Sequence, residues 1–102
     1  MAKTIIAPYA RAAVLVDVAG NIVRARNITA VQRVATGHYR VTVAEQIDTT
    51  SAVCQATVAA GAPSWTAVVH VGTHPTDNNH IVDVWTGAGG AAADQPFHLA
   101  VL

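Results

Sequence analysis

Apolar and polar positions alternate along most of this chain with the two-residue period of β-strands, not the 3.6-residue period of helices. Val14, Val16 and Val18 share one face of a first strand whose other face carries Leu15 and Asp17. Ala19, Gly20 and Asn21 form a turn signal, and residues 22–26 read as the return strand of a hairpin that opens a meander. A third extended stretch covers residues 27–34 and is punctuated by Thr36 and Gly37. Residues 38–43 make the cleanest strand, with Tyr39, Val41 and Val43 facing one way and His38, Arg40 and Thr42 the other.

A polar loop is expected at residues 45–50, then a strand over 51–59 with Ala52, Cys54, Ala56 and Val58 on one face, then a turn at Gly61, Ala62 and Pro63. Residues 65–71 form the next strand, and its apolar residues on both faces predict a strand covered on both sides. Pro, Asp and Asn mark residues 74–79 as a loop. The last two strands, 81–86 and 97–102, flank Gly87, Gly89 and Gly90, with room for one helical turn at 91–95. Seven to eight short strands joined by short turns predict an all-β fold, an antiparallel β-sandwich or jelly-roll-like barrel. Residues 12–102 would form this single domain and residues 1–11 an extended N-terminal arm. The apolar closing strand is expected inside a sheet or at a symmetry axis.

Composition sharpens this picture. A chain of 102 residues supports one core. Its 52% apolar share is rich in Ala and Val, while charged residues make up only 12%, about half the usual fraction. Low charge on an apolar chain points to surface covered by another subunit, so the chain is expected to self-associate. All the basic residues, Lys3, Arg11, Arg24, Arg26, Arg33 and Arg40, fall in the first forty positions with one acid, Asp17, and the remaining acids come later. A net charge of zero lacks the basic footprint of a nucleic-acid binder. The first residues lack the sustained apolar run of a signal peptide or anchor, so no membrane association is expected.

Catalytic chemistry finds little support. Cys54 lies among Ala and Val where burial disfavours a thiolate, and Ser51 and Ser64 lack the glycine pattern of a nucleophile elbow. Carboxylates are scattered, and the glycines after residue 86 lead into no Lys-Ser or Lys-Thr of a phosphate loop. No enzyme and no cofactor are expected. Among five histidines, His70, His74 and His80 could meet only through a loop and lack an ordered ligand spacing, so they read as surface or interface residues and no metal is expected. His98 alternates with core positions and points outward or towards a neighbouring subunit. Trp65 and Trp85 are candidates for ligand contact, together with His74 and Asn78 in the loop. Ile5 and Ile6 in the arm need a covering partner.

Five runs carry a likeness: VDVAGNIV at 16–23, TGHYRVTV at 36–43, CQATV at 54–58, IVDV at 81–84 and DQPFHLAV at 94–101. In strand order and closing motif, residues 12–102 resemble the β-rich C-terminal modules of phage tail-fibre-like and related actinobacterial proteins. The resemblance implies display on a virion surface and trimerisation. Without a collagen-like or coiled-coil shaft, a long fibre is not expected. The expectation is therefore a homotrimeric virion structural protein of a tailed bacteriophage, made in the host cytoplasm, that decorates the capsid or forms a small tail or spike head. Its partners would be itself and phage capsid or tail proteins. Attachment and subunit contacts would involve Lys3, Ile5, Ile6, Tyr9, Arg11, Phe97, His98 and Leu102. The alternative is a recognition module for host surface glycans, acting through Trp65, Trp85 and the loop of His74 and Asn78.

Overall fold

The computed structural model describes residues 3–4, 10–49, 52–59, 65–73 and 79–102, which form two packed β-sheets. The strands are β1 (Lys3–Thr4), β2 (Ala12–Val16), β3 (Ile22–Arg26), β4 (Ile28–Ala35), β5 (His38–Val43), β6 (Cys54–Val58), β7 (Ala67–Thr73), β8 (Ile81–Ala88), β9 (Ala91–Ala92) and β10 (Phe97–Val101). One sheet runs β1-β3-β2-β10-β6, and the other runs β4-β5-β8-β7 with β9 beside β8. Among the described residues every pairing is antiparallel except the short parallel contact of β1 with β3. The chain is thus an all-β sandwich. Eight strands have five residues or more, as the alternation predicts, and the other two are two-residue pieces.

Turn chemistry shapes the hairpins. Asp17 Oδ1 accepts the amides of Ala19 and Asn21 at 3.0 and 2.9 Å, closing the β2–β3 turn. Gly89 and Gly90, at φ of 61° and 82°, supply the two left-handed residues that a tight β8–β9 turn requires. The sequence reading allowed a helical turn over 91–95, but β9 pairs Ala91 and Ala92 with Ala88 and Gly87 instead. The expected meander also breaks. Asn27, at φ 56°, turns a corner between β3 in one sheet and β4 in the other, and its side-chain Nδ2 donates to the Arg11 carbonyl at 2.7 Å.

The core lies between the sheets. Val14, Val16, Phe97 and Leu99 meet Tyr39, Val41, Val82 and Val84 across it. The rings of Tyr39 and Phe97 touch edge-on at 5.1 Å, a geometry worth about 0.5–1.5 kcal/mol beyond its buried area. The Tyr39 hydroxyl donates to the Val18 carbonyl at 2.7 Å, and burial pushes its pKa up to about 12. Ile47, in what reads as a polar loop, joins Ala12, Val43 and Val101 in a second buried group.

The position of one strand and the role of one residue are corrected, while the closing strand lies inside a sheet as expected. The seventh strand begins at Ala67, two residues after Trp65, and lies at the edge of its sheet with Val68 and His70 exposed, not covered on both sides. Its apolar content reflects an inner face of Val69 and Val71 packed on the core and an outer face that stays open. Phe97, expected at an interface, is fully buried, because β10 sits inside its sheet between β2 and β6.

Candidate functional site

Strict alternation along β8 sends Val82, Val84 and Thr86 inward and leaves Ile81, Asp83, Trp85 and Gly87 on the outer face. Register then decides their company. His38 of β5 and His70 of β7 stand opposite Trp85, while Arg40 and Gly72 stand opposite Asp83. The His38 imidazole stacks on the Trp85 indole with centroids 5.1 Å apart and planes 17° from parallel. The far edge of the indole lies near Gly72, where an added Cβ would come within 3.0 Å of Trp85 Cζ3. Trp85 is therefore packed by an imidazole on one face and by bare backbone at one edge, with 40% of its surface open.

Asp83 is only 2% exposed although it is a carboxylate on an outer face. Arg40 Nε approaches its Oδ1 at 3.4 Å and His38 Nε2 at 3.6 Å. The Arg40 guanidinium gives this buried carboxylate a cationic neighbour, and among the described residues His38 Nε2 makes no hydrogen bond of its own.

Beside Trp85 lies an open cleft of about 310 Å³, near the lower end of the size of small-molecule sites. Val68 and His70 of β7, Trp85 and Gly87 of β8, and Ala91 and Ala92 of β9 contribute to its walls, with Thr36 and Gly37 at one end. The space exists because small residues meet there. A Cβ on Gly87 would come within 2.6 Å of the Ala91 carbonyl oxygen.

A polar latch holds the β9 wall against the β4–β5 turn. Asp94 accepts the Gly37 amide at 2.7 Å and the Arg33 Nε at 2.9 Å. The Arg33 side chain, and then the Gly37 amide, hold the Asp94 carboxyl below its ordinary pKa, and Asp94 raises that of Arg33 in return. Behind them the buried Thr86 hydroxyl donates to the Ala93 carbonyl at 2.7 Å and accepts the Gln95 amide at 3.2 Å. The Gly37 carbonyl accepts the Thr86 amide at 2.7 Å, closing the network.

Of the residues singled out from sequence, Trp85 is in this cleft. Trp65 is 94% exposed beside it, since the Gly89 amide at the β8–β9 turn donates to the Thr66 carbonyl at 3.3 Å. His74 and Asn78 lie outside the described residues. Thr73, which precedes them, stands opposite Val82, at the far end of β7 from Trp65. His70 and His80 are separated likewise: His70 pairs with Trp85, whereas His80 Nε2 lies 3.0 Å from the Glu45 carbonyl oxygen at the opposite end of β8. Among the described residues no three His, Cys, Asp or Glu side chains come close enough to hold a metal ion.

Of the arm, Lys3 lies in β1, paired with Arg24, and Ile5, Ile6 and Tyr9 fall outside the described residues. Arg11 and His98 are exposed, and Leu102 is half-exposed with its amide bonded to the Val53 carbonyl. Cys54 is half-buried at the core margin, where burial pushes its thiol pKa up. His38, His70, Asp83 and Asp94 escaped sequence reasoning as a set. Alternation could have placed each on a face, but only register shows which strands lie side by side.

Comparison of the chain with protein-family models, curated proteins and solved structures returned no match.

Proposed function

We propose that this protein is a virion structural protein of a tailed bacteriophage, a homotrimer on the particle surface that decorates the capsid or forms a small tail or spike head. The observation that carries this reading is the apolar character of the outer surface. Away from the cleft, Val18, Val23, Val34, Val53 and Leu102 each leave 40% or more of their surface exposed, in a chain with only 12% charged residues. Side chains of this kind are covered in a working assembly by a copy of the chain or by a particle. The outer strands β4 and β7, each paired on one side only among the described residues, add backbone groups that a neighbour can use. Many weak contacts, once linked, hold a light protein firmly on a shell.

Light scattering on the purified chain, followed by imaging of particles with and without its gene, tests the reading. A trimer in solution and density on the particle that vanishes with the gene are expected. A monomer at micromolar concentration and unchanged particles would overturn it.

A second reading, recognition of host surface glycans, draws on the open cleft at Trp85. An indole wall with uncharged surroundings suits the apolar face of a sugar ring. The two readings are compatible, because a protein carried on a particle can also touch the host.

A further inference from the structure

Resting on the glycan reading, we infer that the Trp85 cleft takes a single neutral sugar ring, and that Trp65 serves as an outer contact for longer chains only. Three observations lead there. The cleft is lined by Trp85, Val68, Ala91, Ala92 and glycines, with Thr36 and His70 as its polar side chains besides the buried Thr86. Among the described residues no carboxylate, lysine or arginine lines it, so nothing in that wall answers the charge of a sialic acid, a uronate or a phosphate. A neutral ring instead offers C–H bonds to the indole and hydroxyls to Thr36 and His70.

The indole is also pre-set. His38 occupies one side of Trp85 and Gly72 lies under its Cζ3 edge, so little rotamer freedom remains to be lost when a ligand arrives. Asp83 lies buried behind this pair, with Oδ1 3.6 Å from His38 Nε2 and 3.4 Å from Arg40 Nε. His38, Arg40 and Asp83 do not line the cleft.

Trp65 lies further out. Ala67 pairs with Ala88, so Trp65 stands on the order of 15 Å from Trp85 along the strand direction. One ring cannot touch both. A chain of several sugars that leaves the cleft past the β8–β9 turn meets Trp65, whose exposure of 94% leaves its ring free to stack.

The test is a glycan array of neutral and acidic oligosaccharides, followed by titration of each hit against the full chain with chemical shifts or tryptophan fluorescence as readout. Neutral glycans are expected to bind, with shifts confined to the cleft residues. Trp85→Ala should weaken binding of short and long neutral glycans by at least about tenfold, and Trp65→Ala that of long ones alone. Ala91→Arg, which fills the cleft from an exposed position, should give the Trp85→Ala result with the core untouched. This second variant keeps the test decisive if Trp85→Ala fails to fold. Preference for acidic glycans, or neutral binding that survives both cleft variants, overturns the site while glycan recognition stands. An array with no hit overturns both.

Discussion

Asp94 holds the amide of Gly37 at 2.7 Å although fifty-seven positions separate them in the chain. That bond joins the segment after β9 to the β4–β5 turn, and the Arg33 side chain shares the same carboxylate. It explains why a cleft made mostly of small residues keeps its shape.

Asp94→Asn should lower stability and change its acid dependence. The folded carboxyl is held below its ordinary pKa, so its contribution is complete above about pH 4 and fades as pH falls through the lower folded value. Urea denaturation at a series of pH values is expected to show a shallower acid decline for Asp94→Asn than for the parent. Parallel curves would contradict the role given to this carboxylate.

Gly37→Ala should be costly. Gly37 has φ 69°, and an added Cβ would collide with the Thr86 carbonyl oxygen and crowd the Ala93 amide at 3.0 Å. Both neighbours are backbone and cannot swing aside. A loss of about 1–3 kcal/mol or more is expected, read as a lower urea midpoint at unchanged slope.

Tyr39→Phe keeps the ring and removes the hydroxyl that donates to Val18. The loss expected at neutral pH is about 1 kcal/mol. The folded pKa is raised to about 12, so this hydroxyl's contribution is intact below about pH 10 and is lost as pH climbs towards 12. Alkaline melts should therefore show the parent losing stability over that window and converging on the variant.

Phe97→Ala and Trp65→Ala separate core from surface. Phe97 is enclosed between the sheets, so truncation should cost about 3–5 kcal/mol. Trp65 is almost wholly exposed, and its truncation should move stability by no more than about 0.5 kcal/mol in the isolated chain. Equal losses in paired urea titrations would mean that one of the two side chains has been misplaced.

Alternation made the layers readable because a strand's period assigns each side chain to a face before any partner is known. Tyr39, Val41 and Val43 are buried as their spacing implies, and His38, Arg40 and Thr42 lie on the outer side. What alternation cannot supply is adjacency. Trp85 stood out by its chemistry, but His38 reaches it from a strand more than forty positions earlier, through a β5–β8 pairing that skips two strands. Phe97 shows the reverse error. An apolar residue near the last position resembled an interface anchor, and only the placement of β10 between β2 and β6 reveals it as core. Ile47 was hidden because a single isoleucine in a polar run has no period to expose it.

The central place of β10 constrains the order of assembly during synthesis. Until Phe97–Val101 leaves the ribosome, β2 and β6 have no strand between them, and their sheet stays split while the β4–β5 hairpin is free to form. A nascent chain of this protein would carry two raw sheet margins from the emergence of β6 until that of β10, then seal them in one step that joins distant parts of the sequence.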